Sequence, residues 1–385
     1  MIGTSVSVGD RIASIDGGGW DEASGAAVSM ERGLLDALEQ IDDLGLQHRY
    51  FLGGDADARA AAAGSIRRSP EASGPVDALV FGRASGAVRM LGGSLGPLLL
   101  IGPEMGYDTT LQSASCDGDA ERRRATLHEL CAAIEAEAAR ESLSVCISRV
   151  LPDASPLAAI LEARGYAWTW ERPTAWLPVD WSDPDGYVAR LALHNRKAAQ
   201  NVRREIAKFH DAGAQLHRLE APAAHAARID ALLHAHEQRK NSHRLGYRDA
   251  FVESLATAMR GRVTIYLASK GGATTGAAIL LRRGSHGSMA LIGMDPEHGA
   301  RDFSYFNTAY YGPAADAPQL GLRRIDFGPG LLPAKQRRGC RIAFPRLYYR
   351  GGRGLRRPFG RLALTAHRHW FERKFRDLAP TRAAT

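Results

Sequence analysis

The sequence predicts an α/β protein of two tandem modules, each a mixed and mostly antiparallel sheet flanked by helices. A chain of 385 residues, 45% hydrophobic and 24% charged, suits one large or two average domains with sizeable cores. In both halves, short β-prone runs alternate with segments of helical periodicity. The halves also follow one order of β-meander, helix and strand. We therefore place the modules at residues 1–180 and 181–385.

The first half begins with a predicted helix over residues 30–40 and a polar stretch over 53–74. Three short β-prone runs follow at 78–81, 87–91 and 97–101. Apolar residues at helical spacing then predict an amphipathic helix over 119–140. The remaining predicted elements are a strand, a short helix and two strands, at 144–150, 157–164, 166–170 and 174–178.

The second half opens with a long predicted helix over 187–212, which Gly213 ends, and a second helix over about 223–239. Glycine-rich turns then join three predicted strands at 263–269, 277–283 and 288–294. The last predicted elements are a helix near 303–311 broken by Gly312-Pro313, a strand at 324–327, and a basic strand-loop-helix tail over 335–376.

The net charge of +8 hides an uneven division along the chain. Residues 1–187 hold 15 basic and 28 acidic side chains, whereas residues 188–385 hold 35 basic and 14 acidic ones. The excess of cations predicts an anionic partner bound mainly by the second half. The composition excludes a disordered, collagen-like or disulfide-stapled chain.

The four cysteines lie far apart without a CxxC pair, and no Cys/His cluster has zinc spacing. We therefore expect reduced thiols and no bound metal. Residues 1–16 lack the pattern of a signal peptide, and the apolar stretch over 95–102 is too short to span a bilayer. These features predict a cytoplasmic protein without integral membrane contact, as a monomer or a homodimer.

Several segments resemble the GNAT acyltransferases. Arg164-Gly165-Tyr166 followed by paired strands resembles the end of one GNAT fold. The second half is similar to the double-GNAT group of Fem-type peptidoglycan aminoacyltransferases and their natural-product relatives, a resemblance that covers about 95–350 and is strongest over 260–340. Its segments are Gly293-Met294-Asp295-Pro296-Glu297, Arg324-Ile325-Asp326-Phe327-Gly328, Lys335-Gln336-Arg337-Arg338-Gly339, and the helix with Arg196-Lys197 and Asn201–Glu205. Arg338 departs from the pattern, since an aromatic residue commonly precedes the final glycine.

The resemblance implies two tandem GNAT-like domains and an N-acyltransferase without a tightly bound cofactor. Such an enzyme would form an amide bond by transferring an aminoacyl group from aminoacyl-tRNA to an amine of a small-molecule or peptidoglycan-precursor-like acceptor. The alternative donor is acyl-CoA or another carrier thioester. Neither 336–341 nor 83–88 completes the Q/R-x-x-G-x-G/A loop that grips pyrophosphate in acetyl-CoA-dependent GNAT enzymes, which favours tRNA. A non-catalytic nucleic-acid- or membrane-binding module is the third hypothesis.

Lys335 and Asp326 are the predicted catalytic residues. The resemblance implies a lysine near the reacting ester, whose ammonium would stabilise the oxyanion or the departing ribose oxygen. Asp326, at the C-terminal end of a strand, would orient the acceptor amine or take its proton. The alternative readings are a capping aspartate and a lysine in a solvated basic loop. The predicted substrate-binding residues are Phe327, Arg337, Arg338, Arg341, Tyr305, Asp295 and Tyr107.

Basic side chains on the helix over 190–208 lie away from its apolar stripe, and Glu205 is its only acidic member. Because guanidinium groups suit phosphate oxygens, we predict that this helix binds tRNA. The set is Arg196, Lys197, Arg203, Arg204 and Lys208. The segment 335–376 holds 14 basic residues and one acidic residue, and both a membrane surface and a phosphate track fit it. We prefer a tRNA track, because the basic residues extend continuously from the predicted active-site loop.

Overall fold

A computed structural model describes residues 6–41, 45–90, 93–115, 119–152, 156–220, 223–241, 250–295, 302–352, 354 and 356–375. These residues form two mixed, mostly antiparallel sheets with flanking helices, which confirms the predicted fold class. In chain order the strands are β1 (Ser7–Gly9), β2 (Gln47–Gly54), β3 (Ala58–Arg67), β4 (Leu98–Ile101), β5 (Leu111–Ser115), β6 (Ser144–Val150), β7 (Ala167–Trp170), β8 (Thr174–Pro178), β9 (Ala214–Leu219), β10 (Val263–Lys270), β11 (Ala273–Arg283), β12 (His286–Met294), β13 (Arg324–Gly328), β14 (Arg341–Ala343) and β15 (Arg346–Arg350).

The helices flank both sheets, and a π-helical turn, Asn307–Tyr311, joins two of them. In chain order they are α1 (Gly17–Ser24), α2 (Arg32–Ile41), α3 (Pro70–Phe81), α4 (Ser85–Met90), α5 (Ala120–Arg140), α6 (Leu157–Ala163), α7 (Gly186–His194), α8 (Arg196–Asp211), α9 (Ala226–Asn241), α10 (Phe251–Ala258), α11 (Ser304–Phe306), α12 (Gly312–Asp316), α13 (Leu332–Arg337) and α14 (Arg356–Lys374).

The two sheets exchange strands. The first sheet has the order β1-β2-β3-β4-β6-β15-β7, with β5 also paired to β3, and the second has the order β14-β8-β13-β12-β11-β10-β9. Strand β15, from near the C-terminus, therefore lies between β6 and β7, while β8 lies between β14 and β13. Each sheet thus takes one strand from the other side of residue 180, and the ladders of β8 and β15 tie the halves together.

Each sheet contains one parallel pair, and both pairs end early. Strands β12 and β13 pair only over His286–Ser288 and Arg324–Asp326, although β12 continues to Met294. Strands β4 and β6 pair over Leu98–Ile101 and 144–147, although β6 continues to Val150. The carboxyl ends of parallel strands are where open α/β sheets bind ligands. The loop over 102–110 leaves the first sheet at such an end.

Two predicted β runs are wrong, because residues 78–81 end α3 and residues 87–91 overlap α4. The hydroxyl of Ser69 accepts a hydrogen bond from the Ala72 N–H at 3.1 Å, and Pro70 follows at the first helical position. This N-terminal cap starts a helix that includes the apolar residues 78–81. The runs at 78–81 and 87–91 are short, and their apolar content alone does not separate a strand from a helix.

The predicted long helix over 187–212 is also wrong in one respect, because Asn195 divides it into α7 and α8. The Asn195 backbone is non-helical, and its side chain accepts a hydrogen bond from the Ala198 N–H at 3.0 Å. The predicted break at Gly312-Pro313 is absent, because the helical segment that begins before it continues through both residues. The π-helical turn runs directly into α12, and Pro313 occupies an early position where its missing N–H costs little.

The basic tail divides between the two sheets. Helix α13 and strand β14 belong with the second sheet, whereas β15 and α14 pack on the first. The track predicted over 335–376 therefore spans both sheets, and its role in binding tRNA stays a prediction. Three cysteines, Cys131, Cys146 and Cys340, are buried free thiols, and Cys116 lies outside the described residues.

Candidate active site

A cavity of about 130 Å³ lies where the two sheets meet, beside the open end of the β4–β6 pair and the first residue of β13. Its walls combine the loop after β4, strand β5, the start of α5 and the end of β6 with residues of β8, β13 and β14. Its polar lining includes Tyr107, Asp108 and Arg324. Both halves of the chain therefore contribute to one cleft that is large enough for a small polar group.

Asp326 faces this junction as an ion pair with Arg324. The Arg324 guanidinium donates to both Asp326 carboxylate oxygens, at 2.8 and 2.7 Å, and the Asp326 side chain is 5% exposed. The guanidinium also lies 4.6 Å from the centre of the Trp176 ring on the neighbouring strand β8. A bidentate, stacked arginine holds the carboxylate in one orientation. The predicted catalytic aspartate is therefore fixed in the middle of β13, between β8 and β12, rather than at the C-terminal end of the strand.

Asp108 is a second carboxylate at this junction, and the sequence analysis missed it. One of its oxygens, Oδ2, accepts from the backbone N–H groups of Val28 and Ser29, at 2.9 and 3.5 Å. Burial, together with the negative charge of Asp326, raises the pKa of Asp108 to about 6, although Arg324 and these amides oppose the shift. Asp108 and Asp326 are 218 positions apart in the chain. The one signal in the sequence is that the loop over 102–110 follows directly after the apolar strand β4, where ligand-binding side chains are often found.

Tyr107 connects the same loop to the second sheet. Its hydroxyl donates to the Met289 carbonyl at 3.1 Å, and its ring packs so closely on Gly328 that an added Cβ would come within 2.2 Å of it. Phe327, next to Gly328, is buried and stacks on Tyr310 with centroids 4.5 Å apart. The structure therefore brings the predicted residues Tyr107, Asp326 and Phe327 together at the end of β13.

Lys335 lies on α13 rather than in a solvated loop, and its side chain is turned inward. It is 3% exposed, and its ammonium donates to the carbonyls of Phe327, Gly328 and Pro329 at 2.6, 2.9 and 3.1 Å. These three bonds match the three N–H donors of an ammonium group. In this structure Lys335 holds the turn after β13 in shape.

Arg338 is also turned into the fold. It is 8% exposed and donates to Glu205 at 2.6 Å and to the Tyr311 hydroxyl at 2.7 Å, with its guanidinium 3.7 Å from the Phe306 ring centre. The aromatic residue expected at this position is thus replaced by an arginine that stacks on one. Arg337 and Arg341 remain exposed, and Arg341 lies 5.3 Å from the Trp176 ring centre.

The five predicted phosphate-binding side chains of α8 are all exposed, opposite the buried residues Val202 and Phe209. Glu205, an acidic residue on the same helix, is partly buried and points toward the rest of the fold. Its carboxylate accepts from Arg338 and from the Tyr311 hydroxyl, so it fastens α8 to α13 and to the π-helical turn. The exposed set is Arg196, Lys197, Arg203, Arg204 and Lys208.

The two remaining predicted substrate residues lie apart, Asp295 directly after β12 and Tyr305 on α11. Asp295 pairs with Arg228 at 3.1 Å, and its following residues 296–301 lie outside the described part of the chain. Tyr305 is half-buried and packs on Tyr310, with ring centroids 5.9 Å apart. Tyr305 therefore joins the aromatic group behind Phe327, whereas Asp295 is tied to α9.

Within the described ranges, no group of His, Cys, Asp and Glu side chains could hold a metal ion. In the same part of the chain, we find no helical segment whose length and hydropathy would let it cross a bilayer.

Comparisons with known proteins agree with this architecture. Residues 196–336 match a family model described as an acetyltransferase (GNAT) domain. No sequence among the curated proteins matches the chain.

Three solved structures share the fold over most of their length. FemX is 14% identical with a TM-score of 0.54, and the alignment covers 85% of this chain and 92% of FemX. A conserved protein of unknown function from Bacteroides thetaiotaomicron is 13% identical with a TM-score of 0.55, covering 90% and 99%. L-PGS from Bacillus licheniformis is 13% identical with a TM-score of 0.52, covering 91% and 95%. At these identities the likeness concerns the fold.

Proposed function

We propose that this chain, an acyltransferase of the double-GNAT, Fem-like group, transfers an aminoacyl group from aminoacyl-tRNA to the amine of a small or peptide-like acceptor. The observation that carries the proposal is that Asp108 and Arg324 line the shared cleft while Arg324 holds a second carboxylate, Asp326, close enough for its charge to act on Asp108. A pair of carboxylates with different surroundings suits an amine, which must be both oriented and deprotonated.

The proposed reaction needs no covalent enzyme intermediate. The neutral amine of the acceptor attacks the ester carbonyl, a C–N bond forms, and the C–O bond to the ribose breaks. Asp108 takes the proton that the amine loses, and this proton returns to the ribose oxygen as it leaves. At neutral pH a carboxyl group with a pKa of about 6 is mostly ionised, yet it is a stronger base than an ordinary carboxylate. Asp326, held in one orientation by the two hydrogen bonds from Arg324, orients the amine.

The tRNA side of the proposal rests on helix α8. Its exposed cations form one face, and Glu205 fixes that face relative to α13 and the π-helical turn through Arg338 and Tyr311. Exposed guanidinium and ammonium groups bind a phosphate backbone mainly by electrostatics. Arg337 and Arg341 are exposed as well, and Arg341 stacks on Trp176, the ring that also contacts the cleft residue Arg324.

In the proposed mechanism Lys335 acts as a positioning residue. Its three bonds to the carbonyls of 327–329 shape the turn that carries Phe327 and Gly328 next to Asp326. A turn held in this way fixes the wall of the cleft before substrates bind, and such preorganisation lowers the barrier without new chemistry.

The second candidate is transfer from acyl-CoA or a carrier thioester, and one observation favours it. The matched family model is that of an acetyltransferase domain. Against it stands the absence from the sequence of a complete Q/R-x-x-G-x-G/A loop, which would hold the CoA pyrophosphate.

A donor comparison tests the proposal. The same radiolabelled aminoacyl group is supplied either as its tRNA ester or as its CoA thioester, with a panel of free amino acids, dipeptides and peptidoglycan-precursor peptides as acceptors. We expect labelled amide from the tRNA ester only, and its loss after ribonuclease treatment. Amide formed from the thioester in a tRNA-free reaction would instead establish the second candidate.

A further inference from the structure

Helix α14 presents an outward face that the proposed function does not use. The helix packs on strands β7 and β15 of the first sheet and on helix α3, through buried side chains that include Leu364 and Phe371. His367 fastens it further, since its Nδ1 lies 2.8 Å from the Thr169 hydroxyl. The opposite face of α14 is therefore exposed. It belongs to the side of the molecule formed by the first sheet, whereas α8 packs on the second.

This outward face is apolar at its centre. Leu362 is 72% exposed and Trp370 is 51% exposed, and their spacing of eight residues places both on one side of the helix. Met90, at the end of α4, is 85% exposed. Helix α4 lies near the start of α14, because a Cβ on Gly93 would contact both Val88 and Phe359. Single exposed apolar residues are ordinary, but three large ones on neighbouring helices are a patch.

Cations surround the apolar centre. On α14 the only acidic residue is Glu372, which lies near His369. The Lys374 ammonium lies 4.7 Å from the centre of the Trp370 ring, so charge and indole share one edge of the face. The exposed cations of α14 and of the turn before α4 are Arg83, Arg357, Arg361, Arg373 and Lys374.

We propose that α14 and the end of α4 form a docking surface for a bilayer rich in anionic lipid. Leucine, methionine and the indole ring gain by entering the boundary between head groups and acyl chains, while arginine and lysine at the edge bind lipid phosphates. A nucleic-acid backbone would bind the cations alone and would leave Leu362 and Met90 exposed to water. The apolar centre therefore favours a lipid surface over tRNA as the partner of this helix.

Vesicle co-sedimentation tests this surface directly, with the intact chain and vesicles of phosphatidylcholine with or without phosphatidylglycerol. We expect binding to the anionic vesicles and at least about tenfold weaker binding to the neutral ones. The double variant Leu362→Ser with Trp370→Ser should bind the anionic vesicles about tenfold more weakly. The matched control is Leu193→Ser, which changes a leucine that is 79% exposed on α7 and should leave binding unchanged.

A second arm separates lipid from nucleic acid by measuring filter binding of uncharged tRNA. Neutralising Arg361 and Arg373 to Gln should weaken vesicle binding and leave tRNA binding unchanged. The proposal is overturned if these α14 variants lose tRNA binding while vesicle binding persists, or if the wild-type chain does not bind anionic vesicles. The outcome is independent of the acyl-transfer assay, because neither arm requires turnover.

Discussion

The ring of Tyr107 lies directly against Gly328, so a loop of the first sheet closes on the end of the strand that carries Asp326. Gly328 has a φ of +66°, and a Cβ built there would lie 2.2 Å from the Tyr107 ring. The Tyr107 hydroxyl is anchored to the Met289 carbonyl at 3.1 Å, so the ring has little freedom to retreat. This contact holds the two halves of the cleft together.

Gly328→Ala should therefore destabilise the protein more than an alanine at a comparable turn glycine. The left-handed backbone alone costs about 1 kcal/mol with a side chain, and overpacking against a fixed ring adds about 1–3 kcal/mol. Gly330→Ala is the matched control, because its φ is +84° and an added Cβ there meets no atom within 4 Å. Urea unfolding of both variants measures the difference. Equal losses at the two sites would mean that the Tyr107 contact does not constrain Gly328.

Asp108 should impose an ascending limb on the acid side of the pH–rate profile, near pH 6. If this carboxylate accepts the proton of the amine, kcat/KM rises with pH as Asp108 ionises, with a midpoint near its pKa of about 6. Asp108→Asn should lower kcat/KM by about 10²–10⁴-fold and abolish this limb. Asp57→Asn, a change of an exposed aspartate, is the control. A limb that persists unchanged in Asp108→Asn would assign the proton to another group.

The same pKa shift predicts an opposite effect on stability. The pKa of folded Asp108 lies above its ordinary value of 3.8, so folding favours the protonated form. This stabilisation is fully present below about pH 4 and is lost as pH rises through about 6. Unfolding of the wild type and of Asp108→Asn, measured from pH 4 to 7, should show the wild type losing stability relative to the variant. A difference that is independent of pH would contradict the assigned shift.

Lys335→Met should cost both stability and activity. The variant leaves three buried carbonyls without their donor, and the loss of such charge-assisted hydrogen bonds costs about 2–4 kcal/mol. The exposed Lys374, changed to Met, is the control for stability. A variant that keeps wild-type stability but loses turnover would show that the ammonium acts on the reacting ester, as the sequence analysis first predicted.

The cations of α8 should set the affinity for tRNA rather than the chemical step. Changing Arg203 and Arg204 together to Gln is expected to raise the KM for aminoacyl-tRNA and to reduce the slope of log affinity against log salt by about 2. Single-turnover rates at saturation should stay near the wild-type value. Arg260→Gln, a change of an exposed arginine after α10, serves as the comparison. A double variant with an unchanged KM and salt slope would place the tRNA elsewhere.

The sequence predicted the two-module fold because hydrophobic periodicity is local. The strand over 144–150, the helix over 119–140 and the meander of the second half needed only neighbouring residues. The exchange of β8 and β15 was beyond this reasoning, since either strand would fit the edge of its own module by pattern alone. Sheet membership depends on pairing between residues about 150 to 200 positions apart, which no local period records.

The candidate site was predicted in part, and the reason is again distance along the chain. Tyr107 lines the cleft and packs on Gly328, next to Phe327 and Asp326, as the predicted set requires, whereas Asp108 and Arg324 become visible only when the first sheet is placed against the second. The residue types also gave a wrong expectation of solvent exposure for two basic side chains. Lys335 and Arg338 sit in a basic segment that reads as solvated, yet carbonyls and Glu205 turn both side chains inward.

The most direct test of the central claim uses a single turnover with enzyme in excess over labelled aminoacyl-tRNA and the acceptor panel. An ester is cleaved by mild alkali and an amide is not, so alkali-stable label reports transfer. Aminoacyl transfer predicts that label becomes alkali-stable with the wild type and much more slowly with Asp326→Asn. Label that stays entirely alkali-labile with every acceptor, while the folded enzyme binds the tRNA, would contradict the proposed function.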